Sequence, residues 1–276
     1  MATTSSPPPY ILGNTDAEYE RLIRQAAGLA PTTERLFRDA GIRPGMRVLD
    51  VGAGVGDVSL LAARLVGPKG SVTGVDRDAA ALAKARSRAA AAGAENVRFV
   101  ESDVSGVRAD TPFDAVVGRF ILQFVSDPVS VLRSLATRVR PGGILVFQEP
   151  SWASVLPHVQ HLPLRSACVQ LFCETLRRGG AQPDMTLTLF RSFPDSGLPV
   201  PQMRIDILIG HDLRSRRWLY ELLCTVRPRF EELGISSDAI GDFATLEERL
   251  DAELSAERSY ATFVGLVGAW SHNPST

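Results

Sequence analysis

The chain lacks most of what would tie it to a membrane, an oxidised scaffold or a polyanion. No apolar run in its 276 residues is long enough to span a bilayer. Cysteine occurs three times, an odd number that argues against a disulfide framework. Cys168 and Cys173 miss the Cys-x-x-Cys spacing and Cys224 stands alone, so core filling is the expected role of all three. Charge of one sign is missing too: 30 Lys and Arg face 31 Asp and Glu, for a net charge of -1. Such a balance gives no pull toward nucleic acid or an anionic membrane. The basic run Arg214-Ser215-Arg216-Arg217 is followed closely by Glu221, Glu231 and Glu232 and reads as a solvated helix face. The first twenty residues have neither an early basic cluster nor an apolar h-region, so no signal peptide is expected, and the cytoplasm is the expected compartment. His158 and His161 are not spaced like a helical zinc pair, and Arg119 and Gln148-Glu149-Pro150 do not supply a metal-binding set at the ends of the fourth and fifth strands, so no catalytic metal is expected.

What is present is an alternation of strands and helices. Residues 1–9 are small, polar and proline-rich and read as a disordered tail. Residues 10–45 read as a helical cap: a helix over 16–30, a break at Pro31 that opens a second helix, and an end at Gly41. A core over 46–150 follows. Its strands are expected at Met46–Val51, Ser71–Val75, Val97–Val100, Phe113–Val117 and Ile144–Gln148, the last after a Pro141-Gly142-Gly143 turn. Helices are expected at Asp57–Val66, Asp78–Ala92 and Pro128–Arg140. Alternation at this length gives an α/β fold with a doubly wound parallel sheet. Residues 151–202 read as a lid or substrate insertion over the carboxyl ends of the strands. Residues 203–276 complete the sheet with strands at Met203–Ile209 and Thr262–Trp270, separated by helical stretches.

The most informative segment is Val48-Leu49-Asp50-Val51-Gly52-Ala53-Gly54-Val55-Gly56-Asp57. A buried strand runs into a turn with glycine at every second position, where the backbone can pass close under a ligand. A dinucleotide fingerprint would place its third glycine at position 57. The chain has Asp57 there, a good helix N-cap and a poor neighbour for a pyrophosphate. Asp50 adds a second carboxylate nearby, so a cationic or zwitterionic ligand such as S-adenosylmethionine suits the turn better than a dianion. Asp76, ending the second strand, is placed to accept from both hydroxyls of a ribose. Asp103, past the third strand, can accept from an exocyclic amine. Three successive strand ends thus describe one elongated nucleoside site.

Taken together, VLDVGAGVG (48–56), GVDRD (74–78), ESDV (101–104), FDAVVGRFILQFVSDP (113–128) and RVRPGGILVFQEP (138–150) resemble the class I S-adenosylmethionine-dependent methyltransferases, within the small-molecule set that includes the ubiquinone/menaquinone type. The resemblance covers the central half of the chain. It implies a Rossmann-like seven-stranded sheet, mostly parallel with the last strand antiparallel, plus a helical cap and lid. It also implies that Gly52, Gly54 and Gly56 line the methionine part of the cofactor, with Asp50 beside them. Asp76 would bind the ribose with Arg77 beside the adenine, Asp103 would meet the adenine amine with Val104 on the ring, and Arg119 would sit near the methionine and the acceptor pocket. S-adenosylhomocysteine would be the product.

Methyl transfer from a sulfonium needs mainly proximity, alignment and exclusion of water. A base is needed only where the nucleophile must lose a proton. His158 and His161 are the candidate bases by their match to neutral pH, and Tyr19 is a further catalytic candidate. Tyr10, Tyr19, Phe120, Phe124, Trp152 and Phe172 are candidates to line an apolar or aromatic acceptor pocket. The acceptor is read as a small molecule, with secondary metabolism as its setting; neither nucleic acid nor membrane is an expected partner, and the oligomeric state is left open, with a homodimer allowed. Ser6-Pro7-Pro8-Pro9-Tyr10 imitates a DNA amino-methylation motif, but no apolar strand precedes it, as stacking on a flipped base would require. Two alternatives stay open: a cofactor-binding protein with no transfer or another reaction, and an NAD(P)-type oxidoreductase on a similar sheet.

Overall fold

A computed structural model describes residues 11, 13, 15–104, 106–107 and 111–274. The proposed tail 1–9, Tyr10 and the Ser6–Tyr10 motif lie outside these residues. The strands are β1 (Arg47–Val51), β2 (Ser71–Asp76), β3 (Val97–Glu101), β4 (Phe113–Arg119), β5 (Val139–Ser151), β6 (Gln202–Asp206), β7 (Ile209–Gly210), β8 (Ala261–Thr262) and β9 (Gly265–His272). The helices are α1 (Asp16–Ala40), α2 (Asp57–Val66), α3 (Ala79–Ala91), α4 (Pro128–Ala136), α5 (Leu156–Val159), α6 (Pro163–Arg178), α7 (Thr186–Asp195), α8 (Leu213–Val226), α9 (Arg229–Glu232) and α10 (Leu246–Ala256).

Seven strands form one sheet in the order β3-β2-β1-β4-β5-β9-β6. The first five run parallel, and β9, the last strand, is antiparallel to β6. The expected doubly wound, mostly parallel sheet is therefore the observed one. Its two faces follow from the period-2 alternation of side chains. Val48, Ala115, Val117, Ile144 and Val146 meet Leu36, Phe37 and Ala40 of α1 and the Val58-Leu61-Ala62-Leu65 stripe of α2. Leu49, Val51, Val116, Leu145 and Phe147 meet Leu132 and Leu135 of α4 and Leu189 and Phe193 of α7.

The chain divides into two compact units. One holds the sheet: Tyr19–Pro150, Asp184–Asp206 and 266–274. The other consists of the described residues up to Glu18 with Ser151–Pro183 and Ile207–Gly265. Its core contains Trp152 stacked on Trp218 with ring centroids 5.7 Å apart, and Phe172 and Phe263 tilted against them.

Four local expectations are corrected. Pro31 does not break the first helix, because α1 runs through it. A proline inside a helix costs about 3 kcal/mol, but Ala26 and Leu29 before it and Leu36, Phe37 and Ala40 after it are all buried, and that burial outweighs the lost bond. Pro141-Gly142-Gly143 is no turn before β5; it lies inside that strand as a bulge, where the pairing jumps from Phe113↔Val139 to Ala115↔Ile144. The backbone of Asn273 braces this bulge through Gly142 and Gly143. The helix before it accordingly stops at Ala136 rather than Arg140. The two late strands are each split, at Ile207–Leu208 and Phe263–Val264, so that β6 pairs with β9 while β7 pairs with β8 in a separate ladder.

Gly74 of β2 has no room for a side chain. A Cβ there would lie 2.6 Å from Ser59 Oγ and 2.7 Å from Phe99 Cδ1. Gly74→Ala is therefore expected to cost ~1–3 kcal/mol through overpacking. Urea denaturation checks this, and an unchanged midpoint would contradict the packing described.

Candidate functional site

The carboxyl ends of β1, β2, β4 and β5 carry the polar groups. After β1 the chain turns through Gly52, Gly54 and Gly56 at φ 70°, 50° and 87°, left-handed values that favour glycine. The glycines differ in what surrounds them. A Cβ on Gly52 would collide with Ile121 Cδ1 at 2.7 Å, and one on Gly56 would press on Ala85 and Phe99 at 3.0 Å, whereas one on Gly54 meets nothing within 4 Å. Gly54 is the open point of the cradle.

Asp76 ties this turn to β2. Its Oδ2 accepts from the Gly54 N–H at 2.8 Å and its Oδ1 from the Asp78 N–H at 2.9 Å. A carboxylate has about four acceptor positions, so capacity for two ribose hydroxyls is left. Asp78 caps α3 by accepting from Ala80 and Ala81, and its Oδ2 accepts from the buried Tyr19 hydroxyl at 2.7 Å. Tyr19 also packs on Val55 within the turn. This brings Tyr19, proposed from sequence as catalytic or acceptor-binding, to the glycine turn of the sheet unit. Arg77 and Asp103 are exposed and Val104 is half-buried, Val104 packing against the core on the α4 side.

Asp57 requires a correction. The N-cap position of α2 is Gly56, and Asp57 is its first helical residue. Its carboxylate pairs with Arg88 at 2.6 Å, and Arg88 also donates to the Val55 carbonyl. Asp57 repels a phosphate less than the sequence alone suggests, so the choice of ligand rests more on Asp76 and the open Gly54.

On the α1 face the apolar layer gives way to a polar one. Asp50 follows Val48, Arg119 follows Val117 and Gln148 follows Val146, each two residues on and so on the same face; Arg119 and Gln148 are register partners. Arg119 Nη1 donates to Thr33 Oγ1 at 3.0 Å, and the Thr33 hydroxyl lies 2.6 Å from Gln148 Oε1. Gln148 Nε2 and Asp50 Oδ1 are buried and have no partner, although buried polar atoms are ordinarily satisfied. Asp50 Oδ2 accepts from Ser59 at 2.5 Å. Burial pushes the Asp50 carboxyl up to about 7, against the pull of Ser59 and Arg119. Burial lowers the Arg119 pKa, with Asp57 and Asp50 opposing. On the other face burial pushes Glu149 up to about 7.

Phe120 and Phe124, half-buried, flank the turn after β4. Trp152 and Phe172 are 4% and 3% exposed and belong to the aromatic core of the other unit. His158 Nδ1 lies 3.0 Å from the Tyr260 hydroxyl and His161 Nε2 2.9 Å from Ser259 Oγ. The structure thus gathers Asp50, the three glycines, Asp76, Arg119 and Tyr19 in the sheet unit, while the histidines, Trp152 and Phe172 sit in the other unit. Thr33, Arg88, Gln148 and Glu149 are site neighbours that sequence reasoning passed over. Their one legible signal was Gln148-Glu149 interrupting the apolar run Ile144–Phe147.

Comparison with known proteins agrees with this geometry. Residues 42–189, more than half of the chain, match the family model described as methyltransferase domain. The chain belongs to this family, the class I S-adenosylmethionine-dependent methyltransferases. A demethylmenaquinone methyltransferase of Staphylococcus aureus is 34% identical over 119 residues, 43% of this chain and 48% of the relative. The chain thus spans about half the length of the curated relatives it matches. Two solved structures share the fold: the YcgJ protein of Bacillus subtilis, with TM-score 0.57 and 18% identity over 91% of this chain and all of that one, and the [4+2]-cyclase SpnF, with TM-score 0.52 and 19% identity over 90% of this chain and 81% of that one.

Asp50 and Glu149 give the site a pH signature. Both hold protons in the folded chain up to about pH 7 that the unfolded chain releases in the ordinary carboxylate range. Their contribution to stability is therefore largest at low pH and is lost as pH rises toward 7, at up to ~1.4 kcal/mol per pH unit for each group. Asp50→Asn has no proton to lose there. Denaturant titrations at pH 5 and pH 8 should show the variant gaining stability relative to the wild type at the higher pH; a constant difference contradicts the raised Asp50.

Proposed function

We propose that the chain is a metal-independent methyltransferase that moves the methyl group of S-adenosylmethionine in line to an oxygen, nitrogen or carbon of a small apolar or aromatic molecule, acting in the cytoplasm and serving secondary metabolism. The observation that carries this reading is the Gly54–Asp76 tie. A glycine with open space above it, its N–H tied to a carboxylate that keeps unused acceptor capacity, stands at the ends of β1 and β2, which suits a nucleoside attached to an amino acid. The naming of the Staphylococcus aureus relative as a demethylmenaquinone methyltransferase supports a small-molecule acceptor.

The residues present fit the cofactor. The cradle Gly52–Gly56 and Asp50 would hold the amino-acid end, Asp76 the ribose, and Arg77, Asp103 and Val104 the adenine. When bound, S-adenosylmethionine supplies a methyl group on a sulfonium whose departure leaves a neutral thioether. Arg119 and Gln148 offer donors without a carboxylate partner; they suit a carboxylate or an acceptor oxygen. Tyr19 orients Asp78 and closes the turn. Phe120 and Phe124, beside the turn after β4, are proposed as apolar contacts of the acceptor.

A second reading keeps the cofactor and changes the reaction. It is favoured by the Arg119 corner, where the ligand-facing candidates Arg119 and Gln148 are donors rather than bases, and by the cyclase that shares the fold. Incubation with methyl-labelled S-adenosylmethionine and a panel of phenols and hydroquinones separates the two: label in an acceptor supports transfer, and binding without label transfer supports the second.

Calorimetric titration with S-adenosylhomocysteine tests the ribose assignment. Asp76→Ala should weaken binding by roughly 1–3 kcal/mol through lost charge-assisted hydrogen bonds. Unchanged affinity would remove Asp76 from the site.

A further inference from the structure

On the sheet face opposite Asp50, the alternation Leu145, Phe147, Glu149 ends an apolar layer with a carboxylate. Glu149 is fully buried. Such a group is costly unless its oxygens are hydrogen-bonded, and here they are. Oε1 accepts from the N–H groups of Ile121 at 3.0 Å and Leu122 at 2.9 Å, and Oε2 from that of Gln123 at 3.3 Å. These amides open the short 3-10 turn Leu122–Phe124, whose own N-cap residue makes no side-chain cap. The residue before them, Phe120, sits at φ 57°, a left-handed conformation that costs a residue with a Cβ of order 1–3 kcal/mol. Its N–H bonds the Gln148 carbonyl at 2.9 Å, so β5 holds the turn through two successive residues.

The turn in turn touches the cradle. Ile121 fills the space beside Gly52, where a Cβ would lie 2.7 Å from Ile121 Cδ1, and beside Gly118, at 2.9 Å from Ile121 Cγ2. A single chain of contacts therefore runs from the Glu149 carboxylate through the Ile121 backbone and side chain to the first glycine of the cradle.

We infer that Glu149 is a positioning residue: its carboxylate fixes the turn after β4 and, through Ile121, sets the shape of the Gly52–Gly56 cradle and its affinity for the cofactor. The inference rests on reading that cradle as the cofactor site. No charged side chain among the described residues acts on the Glu149 carboxyl, whose neighbours in this respect are the three backbone amides.

The test compares the wild type with Glu149→Gln and Glu149→Leu by hydrogen exchange of the Ile121–Gln123 amides and by calorimetry with S-adenosylhomocysteine, both at pH 8. Glutamine keeps one carbonyl for Ile121 and Leu122 but turns an N–H toward Gln123. Its amides should exchange about tenfold faster and its Kd rise about tenfold, the worth of one charge-assisted bond, with a larger loss in the leucine variant. Wild-type exchange rates in Glu149→Gln overturn the tie, and faster exchange with unchanged Kd overturns its coupling to the cradle. If the leucine variant does not fold, the glutamine variant decides alone. Absence of any heat with the wild type refutes the cofactor reading and the coupling with it, while exchange still decides the tie.

Discussion

The bond from the Gly54 amide to the Asp76 carboxylate is the constraint on which the site depends. It joins the turn after β1 to the end of β2 and holds a backbone that only glycine adopts easily. Because Asp76 also accepts from Asp78, the same carboxylate sets the start of α3, which Asp78 caps. Tyr19 then fastens α1 to that cap. One acidic side chain thus coordinates a turn, a strand end and two helices, and keeps spare acceptor positions for a ligand.

The sheet explains why these groups converge. Parallel strands put all their carboxyl ends on one edge, and period-2 alternation sorts the residues there by face. On the α1 face, valines give way to Asp50, Arg119 and Gln148. On the α4 face, Leu145 and Phe147 give way to Glu149. The first set leaves Asp50 Oδ1 and Gln148 Nε2 buried and unpaired, as the proposed ligand site would. The second set is fully bonded to backbone, which marks it as support. The chemistry and its scaffold are separated by the thickness of one sheet.

Most of this architecture was legible in the sequence because its signals are local. The glycine spacing, the acids at the ends of the first three strands and the apolar runs of β1, β4 and β5 each report one element. What was not legible depended on packing. Pro31 reads as a break until the burial on both sides of it is known. Pro141-Gly142-Gly143 reads as a turn until Asn273 is seen to brace it as a bulge. Asp57 reads as an N-cap until Arg88 claims it from a different helix. The roles of Thr33, Gln148 and Glu149 could not be read locally, since they lie in partners as far as 115 residues away in the chain. Trp152 and Phe172 were read as pocket candidates, and the structure shows their rings engaged in an aromatic core whose partner Trp218 no local pattern announces.

A crystal structure of the chain grown with S-adenosylhomocysteine tests the central claim most directly. The account predicts the homocysteine end on the Gly52–Gly56 turn, both ribose hydroxyls donating to Asp76, and the Gly54–Asp76 bond intact beneath them. A nucleoside bound elsewhere, or an Asp76 carboxylate turned away from both ribose and Gly54, would contradict it.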